Sequence, residues 1–127
     1  MIQTRDQKLV ADILPRVQAL PESQRKSYGS MAHKLPVLIR SAGLAQALAY
    51  IQARGNEGQL QLLSDLTATL NTMGHGSANR TLLEQVQRTD LGTYMLLTKQ
   101  ALNTLLWYKR FAQTVLDVQA TDDGSTK

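Results

Sequence analysis

From Asp90 to Val118 the chain reads DLGTYMLLTKQALNTLLWYKRFAQTVLDV, and nothing in that run stops a helix. The 28 residues after Asp90 hold no proline, and their one glycine, Gly92, falls in the first turn, where it costs least. Asp90 is a good N-cap, since its carboxylate accepts from the unpaired N–H groups of the first turn. At about 1.5 Å per residue the helix is about 42 Å long, more than the width of a domain of this size. It must form a spine. Tyr94, Thr98, Ala101, Leu105, Tyr108, Ala112 and Leu116 recur at spacings of three and four and share one face, which Leu97, Leu102, Phe111 and Val115 widen. Roughly opposite lies a polar strip of Lys99, Asn103, Arg110, Gln113 and Thr114, whose two cations stand about three turns apart.

Shorter helices are expected to pack on that spine. Thr4 and Gln7 make a capping box for a first helix running to about Leu20, with Val10, Ile13, Leu14, Val17 and Leu20 on its buried face. Pro15 inside it predicts a kink or a break near Ile13. Pro21 opens a second helix, which Pro36 is expected to interrupt or restart, and Gly43 is either a C-terminal cap or a tight bend before a third helix, Leu44 to Arg54. Asn56 caps a fourth helix that ends at Gly74. Thr81 and Glu84 cap a short fifth, Leu82 to Arg88. Between these, Gly74 to Asn79 reads as a mobile surface loop, and Thr121 to Lys127 as disordered.

The fold class is therefore all-α: a compact bundle of five to six helices packed on a long C-terminal helix. Composition agrees, with 21 Leu, 13 Ala and 13 Gln against ten Val plus Ile. A chain of 127 residues suits one domain, here residues 1–119, followed by a tail over 120–127. The net charge is +4, and without the last eight residues the body carries 13 bases against 8 acids. Such a balance raises the odds of a polyanionic partner. The chain has no cysteine, hence no disulfide, thiolate metal site or Cys nucleophile. With no apolar signal core in MIQTRDQK and no membrane-length apolar run, a cytoplasmic location is the expectation.

Catalytic chemistry finds little purchase. His33, beside Lys34 on a helix, reads as solvated or partly packed, and His75, between glycines, as an ordinary loop residue. No His or acid spacing suits zinc or magnesium, and the acids are spread singly. GHGSANRT lacks the spaced glycines, the Lys-Ser/Thr pair and the preceding strand of a phosphate cradle. These negatives favour a protein that is not an enzyme and uses no cofactor. The bases offer more, because phosphate binding needs only positive charge repeated along a surface. Arg5, Lys8 and Arg16 share the outer face of the first helix, Lys34 and Arg40 flank Pro36, and Lys99, Lys109 and Arg110 sit on the spine. Solubility explains such charges equally well. However, Lys109 and Arg110 lie beside Trp107, Tyr108 and Phe111, of which Tyr108 and Phe111 read as core and Trp107 as exposed.

Two stretches together carry a family resemblance. Tyr28 to Ile51, YGSMAHKLPVLIRSAGLAQALAYI, resembles the central signature of the small subunit of Cmr-type (type III-B) CRISPR effector complexes. Tyr94-Met95 and the run Trp107-Tyr108-Lys109-Arg110-Phe111-Ala112 resemble that family's C-terminal signature, so the likeness spans about residues 4–118. The resemblance implies a small, non-catalytic, all-helical subunit. Several copies would stack head to tail beside the backbone subunits that hold the guide RNA, forming a basic path for the target RNA paired with it. It carries over most securely at Leu35, Pro36, Ile39, Gly43 and Leu44, and at Trp107, Lys109, Arg110 and Phe111; of these, Lys109 and Arg110 are the candidate RNA contacts. Lys99, Arg5, Lys8, Arg16, Lys34 and Arg40 join them on charge and helical geometry alone.

Two other readings stay open. One is a helical protein–protein adaptor with incidental charge. The other, less favoured, is a helix-turn-helix DNA binder using Leu44 to Arg54, a helix whose single base, Arg54, is poor equipment for phosphates or base edges.

Overall fold

The structure, a computed structural model, describes residues 4–75 and 81–120. They form α1 (Arg5–Gln18), α2 (Glu22–Ala42), α3 (Leu44–Arg54), α4 (Glu57–Thr72), α5 (Leu82–Arg88) and α6 (Leu91–Thr114), with no strand among the described residues. The expected all-α bundle with a long C-terminal helix is what the chain builds. Most of the expected loop Gly74–Asn79, and the tail Thr121–Lys127, lie outside the described residues.

Side chains start four of the helices. Thr4 accepts from the Gln7 N–H at 3.1 Å while the Gln7 side chain takes the Thr4 N–H at 2.8 Å, a reciprocal capping box. Asn56 with Gln59 and Thr81 with Glu84 repeat it at α4 and α5, and Asp90 accepts the Thr93 N–H at 2.7 Å to start α6. Of the two outcomes expected at Pro15, the break does not occur, and α2 runs unbroken through Pro36 for 21 residues, contrary to the expected interruption. Each proline forfeits one backbone bond, but Pro36 is buried, and the packing of α2 as a whole against α3, α4 and α6 outweighs the local preference.

Although α6 is the longest helix, α2 lies at the centre. Six consecutive α2 residues, Tyr28 to His33, are buried, so this helix is enclosed all round, as a helix in the middle of a bundle must be. α6 and α4 cover two of its sides and α3 a third. The common core gathers Leu9, Ile13 and Val17 of α1, Leu35 and Ile39 of α2, Leu44, Leu48 and Ile51 of α3, Leu62, Leu66 and Leu70 of α4, and Ala101, Leu105 and Tyr108 of α6.

A polar network runs through that core. The Tyr28 hydroxyl donates to Asp65 Oδ2 at 2.7 Å, and Gln61 donates to Asp65 Oδ1 at 2.8 Å. Tyr108 donates to the Asp65 carbonyl at 3.0 Å, and its hydroxyl lies 2.7 Å from Thr69 Oγ1. Thr69 in turn donates to Asp12 at 2.6 Å, and Arg16 holds Asp12 through two bonds of 3.2 Å. Four helices are thereby locked in register. Each polar group in this network has a partner, which is the condition under which burying it is tolerated.

α6 ends sooner than the sequence suggests. After Thr114 the chain stays close, Val115 and Leu116 donating to the Phe111 carbonyl, and Asp117 then adopts a left-handed φ of 57°. The turn brings the Val118 N–H to the Ala112 carbonyl at 2.8 Å and seats Val118 on α2, where a Cβ added to Gly29 would lie 2.7 Å from the Val118 Cβ. His33 closes the hook: Nε2 donates to the Val118 carbonyl at 2.9 Å. The expected solvated or partly packed histidine is in fact buried and holds the C-terminal segment in place.

Candidate nucleic-acid interface

The polar strip expected on α6 lies on the outer side of the helix: Asn103, Gln113 and Thr114 are exposed, as are Lys99 and Arg110. Near its middle α1 crosses, and the Arg5 guanidinium donates to the Gln100 side chain beside Lys99. Arg5, Asp6 and Leu9 of α1 and Asn103, Leu106 and Trp107 of α6 enclose a hollow of about 180 Å³. One turn further on, the Arg110 guanidinium sits 5.3 Å from the centre of the Trp107 ring, which leans on Phe111 at 5.9 Å. Trp107 and Phe111 are each half-buried. The stack keeps the Arg110 charge at the surface while packing its planar head on an aromatic face.

The other candidates divide between two surfaces. Lys8 is exposed on α1 one turn after Arg5, and Lys109 is half-buried. Arg16 alone among the eight is held in an ion pair among the described residues. Asp12 keeps the Arg16 pKa above its ordinary value, and Arg16 serves the interior network. Lys34 and Arg40 lie on α2, away from the α1–α6 hollow, whose lining includes neither. Lys34 instead borders a larger groove of about 540 Å³ between α2 and α3, opposite Arg54. Sequence reasoning passed over Arg54 in this role. Its signal was symmetry about Gly43: Lys34 stands nine residues before that bend and Arg54 eleven after, so a fold-back there brings the two cations together.

Gly43 makes the fold-back with φ 91° and ψ 156°, a region open to glycine alone, and serves as both the C-cap of α2 and the N-cap of α3. Having no side chain, it cannot cap α3 itself. Tyr94 of α6 substitutes, its hydroxyl accepting the Ala45 N–H at 3.0 Å. The two signature stretches read from the sequence thus meet in space.

No cluster of three or more His, Cys, Asp or Glu side chains able to hold a metal occurs among the described residues. No helix there is long and apolar enough to cross a membrane. His75 is half-buried with its pKa lowered, first by burial and then by the nearby Arg5 charge.

Fold and surface together define a small helical protein whose exposed chemistry is positive charge laid along one long helix and set against aromatic rings. The chain belongs to the CRISPR-associated Cmr5 family, whose family model matches residues 5–115, a span that takes in all six helices and stops short of the C-terminal hook. It is similar to the CRISPR system Cmr subunit Cmr5 of Thermus thermophilus, with 37% identity over 117 residues that cover 91% of this chain and 99% of that one. A crystal structure of a CRISPR-associated Cmr5 family protein from the same organism superposes with a TM-score of 0.75 at 37% identity, covering 89% of this chain and 97% of the other.

Proposed function

We propose that this chain is a non-catalytic structural subunit of a Cmr (type III-B) CRISPR ribonucleoprotein effector. In this reading it acts in antiviral defence in the cytoplasm, stacks in several copies beside the backbone subunits, and binds the target RNA paired with the guide RNA. Membership of the Cmr5 family supports the assembly, since the relative from Thermus thermophilus is named as a Cmr subunit. The observation that carries the RNA role is the exposed strip of α6, flanked by Arg5 and ending at the Arg110–Trp107 stack. Lys99, Lys109 and Arg110 are its central contacts, Arg5 and Lys8 extend it onto α1, and Lys34 and Arg40 offer a second basic surface. Arg16 contributes least, its charge being neutralised by Asp12.

A subunit of this size touches only a few phosphates, each contact adding a modest, salt-sensitive term, so an isolated copy binds weakly. Stacked copies hold one strand at high effective concentration and retain it far better. Changing Lys99, Lys109 and Arg110 together to Ala should weaken target-RNA retention by the assembled complex several-fold or more while leaving the helical circular dichroism spectrum unchanged. Unaltered retention would remove α6 as the RNA surface. An adaptor role keeps one supporting feature, the exposed apolar side chains Leu91, Met95 and Leu96 at the start of α6, with exposures of 73%, 63% and 52%. Those side chains suit contact with another subunit of the same assembly. The charge-neutral pair Met95→Gln with Leu96→Gln should then lower incorporation into the complex without changing the affinity of the free chain for RNA.

A further inference from the structure

The groove between α2 and α3 has features that the α6 surface does not use. Its floor is apolar, from Met31 and Leu38, and its rim carries Val37 and Tyr50, 62% and 54% exposed. Two cations, Lys34 and Arg54, border it with no acidic side chain among its lining residues, and neither cation forms an ion pair among the described residues. An anionic segment is what such a lining would accept.

The same groove is where the C-terminal hook delivers the chain. Val118 is fixed on α2 by His33 and by its fit against Gly29, and Ala120, two residues on, is itself part of the groove wall. The residues that follow are Thr-Asp-Asp-Gly-Ser-Thr-Lys, with two adjacent acids. At no more than about 3.6 Å per residue, the chain length that separates Asp122 and Asp123 from Ala120 is at most about 7 and 11 Å, so the two acids are tethered close to the groove wall that Ala120 forms. A tether this short gives an effective concentration in the millimolar range.

We propose that the acidic segment Thr121–Lys127 docks in this groove of its own chain, setting Asp122 and Asp123 against Lys34 and Arg54. The contact is electrostatic and exposed at the rim, so it is readily reversed and weakens with salt. Docking masks Lys34. If Lys34 contacts RNA, a consequence that rests on the proposed RNA-binding role, the segment competes with RNA for this surface and restricts the α2–α3 side to strands held by the assembled complex.

The test compares the full chain with its Asp122→Asn, Asp123→Asn variant by methyl and amide NMR at about 0.1 M salt. Docking predicts shifts in the Met31, Val37 and Leu38 methyl signals and at Tyr50, and the same shifts when the unmodified chain is taken to about 1 M salt, where the screening length falls to about 3 Å. Changes confined to residues 121–127 would overturn the proposal. Groove shifts that grow with protein concentration would also overturn it, because they would put the segment in a second copy. Single-stranded RNA titrated into both proteins separates the two levels of inference. The variant should bind several-fold more tightly, and docking seen by NMR without any change in RNA affinity would remove Lys34 from the RNA path while leaving the docking intact.

Discussion

Asp65 is a buried carboxylate that the fold uses as an acceptor. Burial lifts its pKa above the ordinary carboxylate value, and the hydrogen bonds from Tyr28 and Gln61 only partly offset the rise. Asp12, linked to it through Thr69 and Tyr108, goes the other way. Burial pulls its pKa up, but the bonds from Arg16 and Thr69 outweigh burial and hold it below 3.8. The signs are opposite. Asp65 binds its proton more tightly folded than unfolded, so its contribution to stability falls as pH rises from 3.8 through its folded value; that of Asp12 is present above 3.8 and is lost as pH drops through its own lowered value. Asp65→Asn removes the first effect alone. Its stability relative to the parent, from urea melts, should therefore climb with pH above 3.8 and then level off, whereas a difference constant with pH would show that Asp65 has the same pKa folded and unfolded. At Gly29 the constraint is steric: Gly29→Ala should cost about 1–3 kcal/mol, as overpacking does. Val118→Gly, which deletes the clashing atoms, should recover part of that loss in a double-mutant cycle. Spacing in the sequence was enough to mark Tyr108 as core. It was silent on the partners of the hydroxyl, because Thr69 and Asp65 lie 39 and 43 residues away in the chain.

Among the elements, helix starts were more legible than helix ends. Thr4, Asn56, Thr81 and Asp90 announce α1, α4, α5 and α6 through residues that act within one turn, so their signal is local. The end of α6 has no such signal. No glycine or proline marks it, and an aspartate takes the left-handed position, a placement that makes sense only once α2 is there to receive Val118. Pro36 misleads for the same reason in reverse, its local penalty being outweighed by three neighbouring helices that the sequence does not display. The α2–α3 bend is the element-scale feature most open to test. Gly43→Ala forces a side chain into φ 91° and should destabilise the chain by about 1–3 kcal/mol, read as a lower melting temperature. A melting temperature equal to that of the parent would mean that the bend relaxes at little cost.

For the whole molecule, the all-helical class and the basic surface follow from periodicity and charge, and the family signatures locate Gly43 and Tyr94, which the fold joins. The division of the bases into an α1–α6 surface and an α2–α3 groove was not legible, because it depends on how helices far apart in sequence cross. Salt is the lever that reads the first surface. Binding of single-stranded RNA by the free chain should fall linearly on a log–log plot against salt, and the Lys99, Lys109 and Arg110 triple-alanine chain should show a shallower slope, by about 0.7 for each phosphate it no longer neutralises. Equal slopes would mean that those side chains touch no phosphate. The enclosure of α2 has a consequence for how the molecule opens. With helices on three sides and the Val118 hook across it, its backbone is bared to solvent only after most of the bundle has come apart. Amide protons from Tyr28 to His33 should therefore be the slowest in the chain to exchange with deuterium, leaving only by global unfolding, while those at the rims of α5 and α6 exchange through smaller, cheaper openings.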